Sequence, residues 1–345
     1  MNDLSQVQDL VIYAWWFALG FSLLMYIVLD GADLGAGVFS LFVRDYRERG
    51  AIMAAMAGTW DANETWLVVA GGIMFGTFPM VYGSALHYLM LPLLIVLLSI
   101  MMRAVALEFR HVSGQTQWLW DGLFGVGSLT TLFFAGMAMG AVLKGYPLDG
   151  GQVPTYPGGL LRFISPFSVW TGVGAVIAAS LAGGLFIRAR FQRTEVIRVH
   201  AAAWINHAFH LALVAVFVTV VWSLSIFDWA ADKWLGPYFW VWLIPGAATV
   251  FATFRMRRAT RRGHDLAAIL WLNAAIAIMW LAMMFTLFPW IVPHTWTVYA
   301  AASPSTSLFT FMLTMGSFLP VMLAYNWYQY WVFRARVNKL TGYGE

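Results

Sequence analysis

Cysteine is missing altogether from this chain. Its absence excludes disulfides, iron–sulfur ligation, thiolate-bound zinc and covalent attachment of a c-type haem. Haem held by histidine stays open. Charge is scarce too: 10% of residues are Asp, Glu, Lys or Arg, against roughly 25% in an ordinary soluble domain. With 61% hydrophobic residues, that scarcity excludes a soluble enzyme. The net charge of +4 forms no nucleic-acid-binding patch, because the basic residues fall in short loops between apolar stretches. The opening MNDLSQVQDL has two Asp and no Lys or Arg. It therefore lacks the basic start of a cleavable signal peptide, and the first apolar stretch is expected to remain as an anchor. No internal repeat, low-complexity tract or soluble domain is found.

What the chain does contain is a succession of long apolar stretches. Nine are long enough to cross a hydrocarbon core of ~30 Å, near 11–30, 52–76, 84–109, 119–143, 166–188, 203–226, 238–255, 267–291 and 307–333. The expectation is one all-α, polytopic integral membrane domain over 1–345. Tyr13 to Val43 is too long for one crossing, so Asp30-Gly31, with Gly35 and Gly37, is expected to bend or end the first helix. The longest loop, 144–165, has three prolines and five glycines. On these spans, 17 of the 20 Lys and Arg fall on one side, with Lys144, Arg162 and Lys233 opposite. Basic loops stay cytoplasmic, which predicts an outer N-terminus and a cytoplasmic C-terminus. Tryptophans near span ends, such as Trp15-Trp16, Trp118, Trp240 and Trp327, are expected to form an interfacial belt.

Four carboxylates interrupt the first two stretches: Asp30, Asp33, Asp61 and Glu64. An acid at a bilayer centre costs ~2.5–3.5 kcal/mol or more, so such residues face protein or water and commonly handle ions or protons. A helix starting near Ala51 puts Asp61 about ten residues in, or ~15 Å, near the midplane. Glu64 follows on the same face, with Asn63 and Thr65 beside them. A proton or cation path competes with a packing role in which the acids bond neighbouring helices or pair with Arg103. The path is favoured because four acids exceed what one arginine neutralises. Arg103 and Glu108, at one end of the third span, fit interfacial snorkelling as well as a proton route. Asp121 reads as a charge at a helix N-terminus. His207 and His210 share one helix face, so they cannot be opposite axial ligands of one haem. Contact with a neighbouring helix is the favoured role for them, and no metal site is expected in this chain.

Three motifs then become recognisable: Leu29-Asp30-Gly31-Ala32-Asp33-Leu34-Gly35-Ala36-Gly37, Trp60-Asp61-Ala62-Asn63-Glu64-Thr65-Trp66-Leu67, and Arg103-Ala104-Val105-Ala106-Leu107-Glu108-Phe109-Arg110. In this order and spacing they resemble subunit II of the cytochrome bd-type quinol oxidases, including the cyanide-insensitive branch. Weaker echoes occur at Pro147-Leu148-Asp149, Ser165-Pro166-Phe167 with Thr171-Gly172, and Ser303 to Ser307 with Leu319 to Tyr325. Ala62 stands where the family usually has Gly, and Tyr299-Ala300 where it usually has Trp-Asp.

The resemblance implies two four-helix bundles plus one peripheral helix, pairing with a pseudo-symmetric, haem-bearing subunit I in a bacterial inner membrane. That partner would carry haems b and d and oxidise quinol with O2, leaving no catalytic residue in this chain. This subunit would support assembly and line cytoplasmic proton delivery, with room for a structural quinone and small single-helix subunits. It implies a proton route at Asp33, Asp61, Arg103 and Glu108, and an oxygen path near Trp66. Two other classes compete: a proton-coupled secondary transporter, which would also carry midplane acids, and a purely structural scaffold.

Overall fold

The computed structural model describes residues 2–148 and 158–332, with side chains from residue 6 onward. The expectations that fall on Asp149 and on the basic tail at Arg334, Arg336 and Lys339 lie outside the described residues. In chain order the helices begin with α1 (Asn2–Ser40), α2 (Tyr46–Met56), α3 (Trp60–Thr77), α4 (Pro79–Tyr88), α5 (Met90–Phe109) and α6 (Gln117–Leu143). They continue with α7 (Pro166–Arg190), α8 (Ile197–Ile226), α9 (Asp228–Trp234), α10 (Phe239–Arg261) and α11 (Asp265–Leu287). A small antiparallel hairpin follows, β1 (Trp290–Val292) and β2 (Trp296–Thr297), and then α12 (Ser305–Phe311) and α13 (Ser317–Val332).

α1 runs unbroken through Asp30-Gly31, contrary to the bend expected there. Its 39 residues span about 58 Å at the helical rise, well beyond a hydrocarbon core. The glycines serve close packing instead of ending the helix. A Cβ on Gly35 would lie 1.7 Å from the Ala179 carbonyl oxygen of α7, and one on Gly183 would lie 2.2 Å from the Ala36 nitrogen. Only glycine at both positions lets α1 and α7 come together backbone to backbone.

The stretch expected as one helix over 52–76 is two. α2 ends at Met56, residues 57–59 turn, and α3 starts at Trp60. The turn is held from outside: Arg190 of α7 donates to the Ala55 carbonyl at 3.0 Å, and Gln329 of α13 donates to the Gly58 carbonyl at 2.6 Å. External donors for freed carbonyls are what allow a helix break inside a packed membrane protein. The third expected span also starts later, at Met90, after the separate helix α4. Within the last span, residues Met312–Gly316 form a π-turn. Pro320 has no N–H to give the Gly316 carbonyl, and the wider turn absorbs that mismatch.

Among the described residues, eight helical segments are long and apolar enough to cross a bilayer. α3, with 18 residues, has the length for a ninth crossing (~27 Å), but its first turns carry Asp61, Asn63 and Glu64. The helices form two groups. α1 packs against α3 and α6, and α6 against α5. In the second group Leu181 and Leu185 of α7, Ile205 and Ala208 of α8, Met256 and Ala259 of α10 and Ala268 of α11 share one apolar core. α7 lies along both α1 and α6 and joins the groups, while α12 touches α1 and α3 at the periphery.

Ion pairs tie the arginine-rich ends. Asp265 at the start of α11 binds Arg188 and Arg198, both at 2.9 Å. Asp121 of α6 binds Arg110 at 2.5 Å, with Arg49 at 3.8 Å. Asp121 is thus a buried crosslink of three elements and not merely a helix-end charge. At the opposite end Lys233 of α9 donates to the Thr286 carbonyl at 2.8 Å and to Phe288, occupying the C-terminal carbonyls of α11. Burial there lowers the Lys233 ammonium below the ordinary lysine range. Trp15, expected in an interfacial belt, is instead buried and donates to the Leu308 carbonyl. Trp118, Trp240 and Trp327 are exposed.

Candidate functional site

The site forms where α1, α3 and α5 meet, with α7 and α13 closing it. Arg103 enters from α5 and is 1% exposed. A snorkelling arginine would reach for water; this one points inward. Its Nη2 lies 2.7 Å from Asp30 Oδ1 and 2.7 Å from Glu64 Oε1, so one guanidinium nitrogen holds acids from two helices. Asp30 is fully buried, while Glu64 keeps a side-chain exposure of 14%. Asp30 Oδ2 and Arg103 Nε and Nη1 keep unused hydrogen-bonding capacity among the described residues.

One helical turn along α1, Asp33 Oδ2 accepts a hydrogen bond from Asn63 Nδ2 at 2.8 Å. Tyr330 of α13 donates to Asn63 Oδ1 at 3.2 Å. Asn63 therefore relays polar contact between Asp33 and a tyrosine hydroxyl. Arg190 is close enough to Asp33 to act on it electrostatically, and it is the same arginine that holds the α2–α3 turn. The carboxylates thus sit beside a helix break whose carbonyls are bound by polar side chains.

Of the acids singled out from sequence, Asp30, Asp33 and Glu64 come together around Arg103. Asp61 and Glu108 do not join them. Because α3 begins at Trp60, Asp61 lies in its first turn and not ten residues deep. An acid in that position is favoured by the helix dipole, and its side chain faces outward from this chain. It still acts electrostatically on Glu64, one turn along. Glu108 lies on an exposed face of α5 and makes no ion pair among the described residues.

Trp66 is fully buried, and its Nε1 donates to Asn326 Oδ1 at 2.5 Å. Phe21 packs edge-on against its ring at 5.8 Å. Asn326 also lines a cleft of about 270 Å³ between α3 and α13, formed with Ala62, Thr65, Val321, Met322 and Tyr325. Asn326 Nδ2 has no partner among the described residues although the residue is 5% exposed.

The sequence reading missed Arg190, Asn326, Gln329 and Tyr330 as members of the site. By sequence Arg190 reads as one more basic residue at a span end. Asn326 and Gln329 stand three apart within the last apolar stretch, a spacing that marks a polar helix face and would have flagged them. His207 and His210 turn their Nδ1 atoms to backbone carbonyls one turn earlier, Ala203 at 2.8 Å and Asn206 at 2.7 Å.

Known proteins resemble this chain over most of its length. The cytochrome bd-I ubiquinol oxidase subunit 2 of Escherichia coli K12 is 26% identical over 95% of both chains. The cytochrome bd ubiquinol oxidase subunit 2 of Bacillus subtilis 168 is 26% identical, covering 94% of this chain and 96% of its own. A chain of the bd oxidase structure from Geobacillus thermodenitrificans shares the fold, with a TM-score of 0.78 over 95% of this chain and 98% of that one, at 14% identity. Residues 11–333 match the family of cytochrome bd terminal oxidase subunit II, and this chain belongs to that family.

Proposed function

We propose that this chain is the subunit of a bd-type quinol oxidase that supports a haem-bearing subunit I and conducts protons to it from the cytoplasm. The observation that carries the proposal is the charge balance of the buried site. Asp30, Asp33 and Glu64 face two guanidinium groups, those of Arg103 and Arg190. An uncompensated charge in a low-dielectric interior costs several kcal/mol, and a bound proton removes it. A cluster with more acids than bases is therefore a place where protons reside.

The route begins at the arginine-rich end, cytoplasmic by the positive-inside rule. The α2–α3 turn, Arg190 and Asp33 come first, then Glu64 with Arg103 and Asp30. Asp61 is last, on the outward face of α3. A carboxylate exposed to hydrocarbon would be costly, so that face suits a partner subunit better than lipid. α3 then serves as the ninth crossing, its polar first turns covered by that partner. Quinol oxidation and O2 reduction, with the haems, belong to subunit I. The α3–α13 cleft has the size for one quinone ring, and Asn326 Nδ2 offers a donor to its carbonyl. Family membership removes the motive for the transporter reading.

Affinity purification of the tagged chain from native membranes tests the reading. Co-purification with a haem-containing polypeptide, and quinol oxidase activity of the pair, is the expected result. A chain stable and active without a haem partner overturns it.

A further inference from the structure

A second polar cluster lies on the outer surface of the α7–α11 group, away from the buried carboxylates. Arg257, near the end of α10, reaches across to α8.

 Its side chain is partly buried against α8 and otherwise open to the surroundings. It donates through Nη2 to Asn206 Oδ1 and stacks on the Phe209 ring, 4.8 Å from guanidinium carbon to centroid. His210 packs edge-on against the same ring at 5.4 Å, and its Nδ1 is bound by the Asn206 carbonyl at 2.7 Å. His207, one turn earlier on the same face, is fixed in the same way. Each imidazole gives its Nδ1–H to a backbone carbonyl, which leaves Nε2 as an acceptor for a ligand hydroxyl, while the guanidinium keeps N–H groups open to an anion.

The proton route does not use this cluster. The position in the chain argues for an amphiphile. α8 and α10 are both apolar enough to cross a bilayer, and the cluster lies near the arginine-rich end of α10, beside Arg258 and Arg261. Toward the other end the two helices expose an apolar surface, with Leu213 and Phe217 on α8 and Val250 and Phe254 on α10. A fixed cationic group above an exposed apolar track matches an anionic head joined to acyl chains, and basic pockets between membrane helices recognise such heads. Guanidinium also pairs with phosphate oxygens through two parallel hydrogen bonds, which favours a phosphodiester.

We propose that Arg257, with the Asn206 amide, binds the phosphodiester of an acidic phospholipid in the arginine-rich leaflet, and that the Nε2 atoms of His207 and His210 accept from hydroxyls of its headgroup. Its acyl chains would lie along α8 and α10. The test uses the assembled oxidase complex, delipidated in detergent and titrated with dioleoylphosphatidylglycerol or dioleoylphosphatidylcholine, with bound lipid read by native mass spectrometry. The expected result is preferential retention of phosphatidylglycerol, reduced about tenfold in the double variant Arg257→Gln with His210→Gln and unchanged in Arg193→Gln. Equal retention of the two lipids, or no loss in the double variant, overturns the proposal. Phosphatidylglycerol carrying a photoreactive acyl chain gives a second readout on the unaltered complex. Crosslinks should map to α8 and α10, and crosslinks confined to other helices overturn it as well.

Discussion

Arg103 and Asp30 meet at 2.7 Å with both side chains no more than 1% exposed, although 73 residues separate them in the chain. Glu64 shares the same guanidinium nitrogen. Removing one partner of a buried pair leaves an uncompensated charge, at a cost of ~3–5 kcal/mol. Arg103→Gln strands two acids and should lower the thermal midpoint of the complex sharply or prevent assembly. Asp30→Asn leaves Glu64 on Arg103 and should cost less. Thermal unfolding followed by haem absorbance ranks the two, and a smaller effect for Arg103→Gln would contradict the pairing.

Asp61 projects outward from the first turn of α3, and on the proposed route it would hand a proton from Glu64 to a neighbouring subunit. Asp61→Asn keeps shape and hydrogen bonding but cannot titrate. It should assemble with the partner's haems yet lose most quinol oxidase turnover, whereas Asp149→Asn, in the long loop 144–165, should not. Normal turnover in Asp61→Asn would remove it from any obligatory path. Failure to assemble would favour a packing role.

Trp66→Phe keeps most of the ring volume but removes the donor to Asn326. A buried amide left unpaired costs ~1–3 kcal/mol, so the thermal midpoint should fall with little change in oxygen dependence. Trp66→Ala also opens space beside Phe21. If an oxygen path passes here, it should alter the apparent oxygen affinity more than maximal turnover. An unchanged oxygen dependence in the assembled Trp66→Ala enzyme leaves the tryptophan a packing role alone.

Arg190→Ala and Gln329→Ala each remove one donor from the α2–α3 turn. Loss of a bond to a buried carbonyl costs ~1–3 kcal/mol. Amides of residues 57–59 should exchange with deuterium roughly tenfold faster or more, without matching change in α6. Uniform protection in both variants would show that the turn holds itself.

Gly35→Ala places a methyl against the Ala179 carbonyl, and Gly183→Ala places one against Ala36. Neither contact can be relieved by a side-chain rotation, because the obstacle is backbone. Either variant should separate α1 from α7 and reduce the yield of assembled complex severalfold, whereas Gly31→Ala, which meets nothing within 4 Å, should be tolerated. Equal yields for Gly35→Ala and Gly31→Ala would argue against the close crossing.

The apolar runs by themselves determined that this is an all-helical membrane chain, because no other backbone satisfies its own hydrogen bonds in lipid at those lengths. The stray acids marked the site for the same energetic reason, and the three motifs identified the family. What the sequence left undecided was which glycines bend a helix and which let two helices touch. Asp30-Gly31 reads locally as a break, yet α1 continues because Arg103 compensates Asp30 and α7 fills the space beside Gly35. The run 52–76 reads as one helix, yet it divides, because Arg190 and Gln329 supply donors from far along the chain. That division decides where Asp61 lies, and no local count from Ala51 could find it. Long-range polar partners set these points, and their pairing exists only once the helices have packed.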